Sequence, residues 1–147
     1  MTVVDSSVYI AAINAHEPHH EASRRWFEVA VNTGQDIWAP ALFLSEVSAA
    51  IGRGLENPLL ALETVERLRN SSIVRLAPVD INLAERAAAI AARHRIRGCD
   101  AIYVALAERL SIPLITLDRQ QLTRASTVIA TSSPSADCKP TYTHGPT

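Results

Sequence analysis

Four carboxylates carry the chemical interest of this sequence: Asp5, Glu46, Asp100 and Asp118. Each has a local explanation: Asp5 and Asp118 are positioned to cap helices, and Asp100 in a first helical turn complements the macrodipole. Glu46 resists such an explanation. Its neighbours three and four residues away are Leu42, Phe43, Ala49 and Ala50, so the carboxylate shares an apolar stripe. An unpaired buried carboxylate costs several kcal/mol, and no Lys or Arg stands three or four residues away to pair with it. A cation from outside the chain would. Gathered together, the acids would repel one another unless something positive sat among them. All-oxygen donors suit a hard divalent ion, Mg²⁺ or Mn²⁺. Such an ion activates water and stabilises a phosphoryl centre, so the chemistry on offer is metal-dependent phosphodiester hydrolysis without a protein nucleophile.

The elements that must position these residues alternate between strand and helix. Residues 2–4 read as a strand, 6–14 and 18–33 as helices, and 36–39 as a second strand. Pro40 opens a helix to about residue 53, and a further helix spans 59–69. A strand at 73–76 follows, then Asp80 caps an alanine-rich helix ending near Arg95. Gly98 breaks the pattern, and 100–110 reads as a helix apolar on nearly every side, hence buried. Residues 113–117 and 127–130 read as the last strands, with a short helix at 119–124 between them. This alternation predicts an α/β sandwich around a mostly parallel, short-stranded sheet. Asp5 and Asp118 each follow a strand directly, and ligands of open α/β sheets bind beyond the carboxyl ends of the strands.

The composition fits one domain. The 147 residues are 48% hydrophobic and 20% charged, which excludes a disordered chain. We expect a core domain at 1–131 and a solvated Ser-, Thr- and Pro-rich tail at 132–147. Fourteen basic against fifteen acidic residues exclude a strongly basic nucleic-acid binder. Lys139 is the only lysine. No secretory signal, membrane-length apolar run or cysteine framework is evident, Cys99 and Cys138 being the only cysteines, so we expect a cytoplasmic protein that makes no membrane contact.

The segments VVDSSVYI, LSEVSAA, CDAIYVALAERL and PLITLDRQ resemble the PIN-domain ribonucleases, most closely the VapC toxins of type II toxin–antitoxin modules. The likeness runs from residue 2 to about residue 130, with the acids in the family's order. It implies an α/β/α sandwich and Mg²⁺- or Mn²⁺-dependent RNA endonucleolysis, with tRNA or rRNA as substrate. It also implies a cognate VapB-type antitoxin and a homodimer. By the same resemblance Asp5, Glu46, Asp100 and Asp118 form the metal site, with Asp5 and Asp100 the principal ligands and Ser7 and Thr116 as small polar supports.

Other residues were weighed against plainer roles. His16, His19 and His20 with Glu17 and Glu21 have metal-like spacing but sit at a helix start, where polar residues belong. Arg97 and Arg119, with Arg93 and Arg95 nearby, are candidates for RNA phosphate contacts. Trp26 and Trp38 suit a core or a dimer seam, and Cys99 suits packing. One rival is a PIN fold that binds RNA or a partner without turnover. A dehalogenase-like phosphatase or receiver domain is a poorer match: the former needs a second aspartate where Ser7 stands, and both need a lysine near the site.

Overall fold

A computed structural model describes residues 1–135. Five parallel strands form one sheet in the order β3-β2-β1-β4-β5. They are β1 (Thr2–Val4), β2 (Ile37–Pro40), β3 (Val74–Ala77), β4 (Leu114–Ile115) and β5 (Thr131–Ser132). Seven helices among the described residues flank the sheet in an α/β/α arrangement: α1 (Ser6–Ile13), α2 (His20–Asn32), α3 (Phe43–Gly54), α4 (Pro58–Asn70), α5 (Ile81–His94), α6 (Gly98–Leu110) and α7 (Arg119–Ala125). No described helix is long and apolar enough to cross a membrane.

The central strands are short and buried on both faces. Val3, Val4, Ile37, Ala39 and Leu114 are closed to solvent, as parallel sheets covered by helices require. Helix α6 lies on β1, β2 and β4 and buries Ala101, Tyr103, Val104, Ala105, Leu106 and Ala107. Small alanines let the helix approach the sheet, and each large apolar side chain there contributes roughly 1.5–3 kcal/mol of transfer free energy. Trp26 is buried in this core with its ring against Phe27 at 5.0 Å, and the exposed Arg75 guanidinium lies 5.7 Å from the ring of Trp38.

Several boundaries differ from the sequence reading. β4 ends at Ile115 instead of 117, so Asp118 stands three residues beyond it, and α2 begins at His20 instead of 18. Pro40 closes β2 rather than opening a helix. It pairs with Ala77 at the strand end, where a missing N–H costs least, and the next N–H, from Ala41, completes the ladder to Ala77. Gly98 opens α6 instead of breaking it. The final strand stands at Thr131–Ser132 instead of 127–130. The hydroxyls of Ser126 and Thr127 bond back to the Thr123 and Arg124 carbonyls. The N–H groups of Val128 and Ile129 both reach Ala125, which bends this stretch into a turn. Ser132, the first residue of the expected tail, pairs with Ile115; residues 136–147 of that tail, with Cys138 and Lys139, lie outside the described residues.

Candidate active site

β1 and β4 are adjacent and parallel, so the residues that follow them emerge side by side. The Asp5 N–H bonds to the Ile115 carbonyl at 2.9 Å, which ties the end of one strand to the other. Asp5 has extended backbone and caps α1, its Oδ2 accepting from the Ser7 N–H at 3.2 Å. The same oxygen accepts from the Ser7 hydroxyl and, at 3.2 Å, from the buried Thr116 hydroxyl. Thr116 Oγ1 in turn accepts from the Asp118 N–H at 3.1 Å, and Ser7 Oγ accepts from the Leu117 N–H at 3.2 Å. Two hydroxyls thus stitch the β1 and β4 ends together, and Asp118 caps α7 through the Gln121 N–H at 2.9 Å.

Two further elements close the pocket. The first turn of α3 supplies Glu46, which accepts a hydrogen bond from the Tyr103 hydroxyl. The first turn of α6 supplies Asp100. A cavity of about 420 Å³ is lined by Asp5, Ser7, Glu46, Arg97, Asp100 and Asp118 among others. All four expected acids therefore meet in one place, although 113 positions separate Asp5 from Asp118 in the chain.

The electrostatics are those of crowded like charge. Asp5 is only 5% exposed, and its pKa is pushed up to about 6. Loss of hydration is the chief cause; the Ser7 hydrogen bond opposes it and the Glu46 charge adds to it. The buried Tyr103 hydroxyl is held well above its ordinary range by desolvation first and by the Glu46 charge beside it. Among the described residues, one cation lines the cavity. Arg97 Nε donates to Asp100 Oδ2 at 2.7 Å, and its Nη2 donates to Asp118 Oδ2 at 2.8 Å.

The donor set fits a hard divalent ion in type. Asp5, Glu46 and Asp100 are each anchored through one carboxylate oxygen, and the second oxygen of each receives no hydrogen bond among the described residues. Those oxygens remain in contact with solvent, since Ser23 Oγ and Gln121 Oε1 are the buried side-chain atoms without a partner among the described residues. As they stand, no three His, Cys, Asp or Glu side chains among the described residues form a ready cage for an ion; the guanidinium holds two of the acids.

A PIN domain family model matches residues 2–126. The chain belongs to the PIN domain family. Solved structures share the fold. VapC20 of Mycobacterium tuberculosis, a sarcin–ricin-loop-cleaving toxin, aligns with a TM-score of 0.70 at 21% identity, covering 84% of this chain and 94% of that one. FitAcB from Neisseria gonorrhoeae gives 0.70 at 21%, covering 91% and 98%. A DNA-bound VapBC from Salmonella typhimurium gives 0.68 at 18%, again covering 91% and 98%. No curated protein sequence matches the chain.

Within this PIN domain the remaining expectations divide. Ser7 and Thr116 touch Asp5 directly. Arg97 faces inward onto two acids, whereas Arg119 is exposed at the start of α7. The histidines gather no site: His20 Nδ1 lies 2.8 Å from the Ala11 carbonyl, and His16 and His19 are exposed. Two residues beside the acids escaped the sequence reading. Tyr103 supplies the partner that the burial of Glu46 demanded; the signal was a tyrosine in an otherwise apolar helix, whose hydroxyl must find an acceptor. Gln121 is buried, and its side-chain amide donates to the Asp100 carbonyl at 3.2 Å. No local signal marks it.

Proposed function

We propose that this chain is a VapC-like toxin, a Mg²⁺- or Mn²⁺-dependent endonuclease that hydrolyses RNA phosphodiester bonds in the cytoplasm. The observation that carries the reading is the convergence of four carboxylates, three of them with a carboxylate oxygen that accepts no hydrogen bond among the described residues, on one pocket of a PIN fold. Asp5 and Asp100 would be the principal metal ligands, with Glu46 and Asp118 completing the set. Bound there, a divalent ion supplies an activated water and charge stabilisation at the phosphorus.

The chain's own residues do the positioning. Ser7 and Thr116 fix one oxygen of Asp5 and leave the other free. Tyr103 occupies one oxygen of Glu46. Arg97 at the cavity and Arg119, exposed at the start of α7, would offer donors to RNA phosphates, which favour the planar fork of arginine. RNA is supported as substrate by the fold shared with a toxin that cleaves the sarcin–ricin loop, and tRNA or rRNA is the class expected. The likeness to a VapBC complex supports a VapB-type antitoxin as partner. We take the toxin to be a homodimer.

The test is direct. Purified protein is expected to cut RNA in Mg²⁺ or Mn²⁺ and to stop in EDTA. Cleavage that persists in EDTA would sink the metal mechanism. RNA binding at full strength with no turnover in either metal would instead identify a binding module. A small upstream reading frame encoding a DNA-binding protein would support the toxin assignment, and its absence would leave only the nuclease.

A further inference from the structure

We propose that Arg97 is a resident counter-cation of the acid pocket, which holds Asp100 and Asp118 in place of a divalent ion and must release both for the ion to bind. The inference rests on the metal-dependent reading given above and adds to it the residue against which the ion competes.

The geometry makes the case. A single guanidinium accounts for a short contact to each of two carboxylates carried by different elements, one at the start of α6 and one at the start of α7. The two acceptors are therefore already within reach of one cation. They are also sheltered: the Asp100 side chain is 14% exposed and that of Asp118 26%. Arg97 itself is 70% exposed. It precedes α6 in extended backbone and is followed by Gly98. Its contacts are therefore electrostatic, with little packing to hold it once the acids find a better partner. A compact double charge outcompetes a diffuse single one for hard oxygen donors.

The neighbouring charges bias the exchange in the same direction. Asp5 and Glu46 also line the cavity, and neither accepts a hydrogen bond from Arg97. The arginine therefore hydrogen-bonds two of the four acids and reaches Asp5 only through its charge, whereas an ion seated among all of them would touch each one. With Arg97 in place, the described acids form no ready cage. Once displaced, its fork remains at the rim of the pocket, where the phosphate of a bound strand would lie. The residue thereby lowers the affinity of the resting site for metal and becomes a phosphate contact in the loaded one.

The experiment measures metal directly, with no RNA present. Mn²⁺ binding to the wild-type chain, Arg97→Ala and Arg97→Lys is followed by electron paramagnetic resonance at low salt. Removing two partly screened ion pairs is expected to tighten Mn²⁺ binding by about tenfold in Arg97→Ala, with Arg97→Lys between the two. In the wild-type chain, the Arg97 Nε–H resonance is expected to move when diamagnetic Mg²⁺ is titrated in, a readout that needs no variant to fold. Equal or weaker Mn²⁺ binding by Arg97→Ala, or an Nε–H resonance unmoved at saturating Mg²⁺, overturns the inference and leaves the nuclease reading standing. Failure of all three chains to bind Mn²⁺ overturns the metal reading itself, and this inference with it.

Discussion

Asp5 and Asp80 perform the same local task. Each follows a strand and caps a helix from extended backbone, with φ −78° in both cases. Their environments drive them apart. Asp5 ends a central strand, is buried, and meets Glu46 and Asp100; its pKa rises to about 6. Asp80 follows the edge strand, lies at the surface, and meets Arg109 at 2.9 and 3.0 Å, which together with its capping bond to Leu83 draws its pKa down to about 2. Burial is the chief cause at Asp5 and the Arg109 hydrogen bond the chief cause at Asp80; helix α6 reaches both, carrying Asp100 in its first turn and Arg109 in its last. That arrangement follows the macrodipole. A capping aspartate thus becomes reactive or inert according to what the tertiary fold places beside it.

The hardest test of the contrast is to neutralise each aspartate in turn. Asp5→Asn, like Asp100→Asn, is expected to lower Mg²⁺-dependent RNA cleavage by at least ~10³-fold, because it removes a charge on which the proposed metal site would depend. Asp80→Asn is expected to leave the rate within about twofold. Comparable losses at the two positions would show that capping, rather than the acid pocket, controls activity.

The second test is stability against pH in EDTA, where the two residues act with opposite sign. Asp5 has a folded pKa above its unfolded value, so the native state binds the extra proton between pH 4 and 6. Stability contributed by that proton is present below pH 4 and is lost as the pH rises through 6, by about 3 kcal/mol in all. Asp80 has a depressed folded pKa, so its contribution is present above pH 4 and is lost as the pH falls toward 2. Chemical denaturation across pH 2–8 is therefore expected to show a decline above pH 4 that disappears in Asp5→Asn. An Asp5→Asn profile parallel to wild type would mean that Asp5 carries no burial penalty.

Part of this contrast was legible in the sequence and part was not. The placement of Asp5 and Asp118 followed from two strands ending in acids, because parallel neighbours deliver their carboxyl ends to one edge. Glu46 stood out as a carboxylate in an apolar stripe. The partners were hidden, since they come from distance in the chain: Tyr103 reaches Glu46 across 57 residues, and Arg97 reaches Asp118 across 21. Periodicity records which face a residue occupies, not what stands opposite it. The last strand was misplaced for a similar reason. Residues 127–130 have strand-like composition, but the Val128 and Ile129 N–H groups that could have joined a ladder are spent on the end of α7, and the Thr127 hydroxyl bonds back to Arg124.

Tyr103 offers a sharper probe of how the buried half of the contrast is held. Tyr103→Phe keeps the ring in the core and deletes the donor to Glu46. Loss of an outer partner of a metal-binding carboxylate costs roughly 10–100-fold in metal affinity or activity. The expected signature is weaker Mn²⁺ binding and slower cleavage with the melting temperature little changed. Unaltered Mn²⁺ affinity would reduce Tyr103 to a packing residue.

The smallest expected effect concerns the residues that most resemble metal ligands by spacing. His16, His19 and His20 crowd one short stretch from the α1–α2 connection to the start of α2, yet crowding in sequence is not convergence in space. His20 turns toward the Ala11 carbonyl, and the other two rings lie exposed. The acids behave in the opposite way: far apart in the chain, they are delivered to one pocket by β1, α3, α6 and the end of β4. A His16→Ala, His19→Ala double variant is therefore expected to bind Mn²⁺ and cut RNA within about twofold of wild type. A substantial loss in either measurement would place the ion at the α1–α2 junction, and the carboxylate pocket would then need another explanation for its crowded charge.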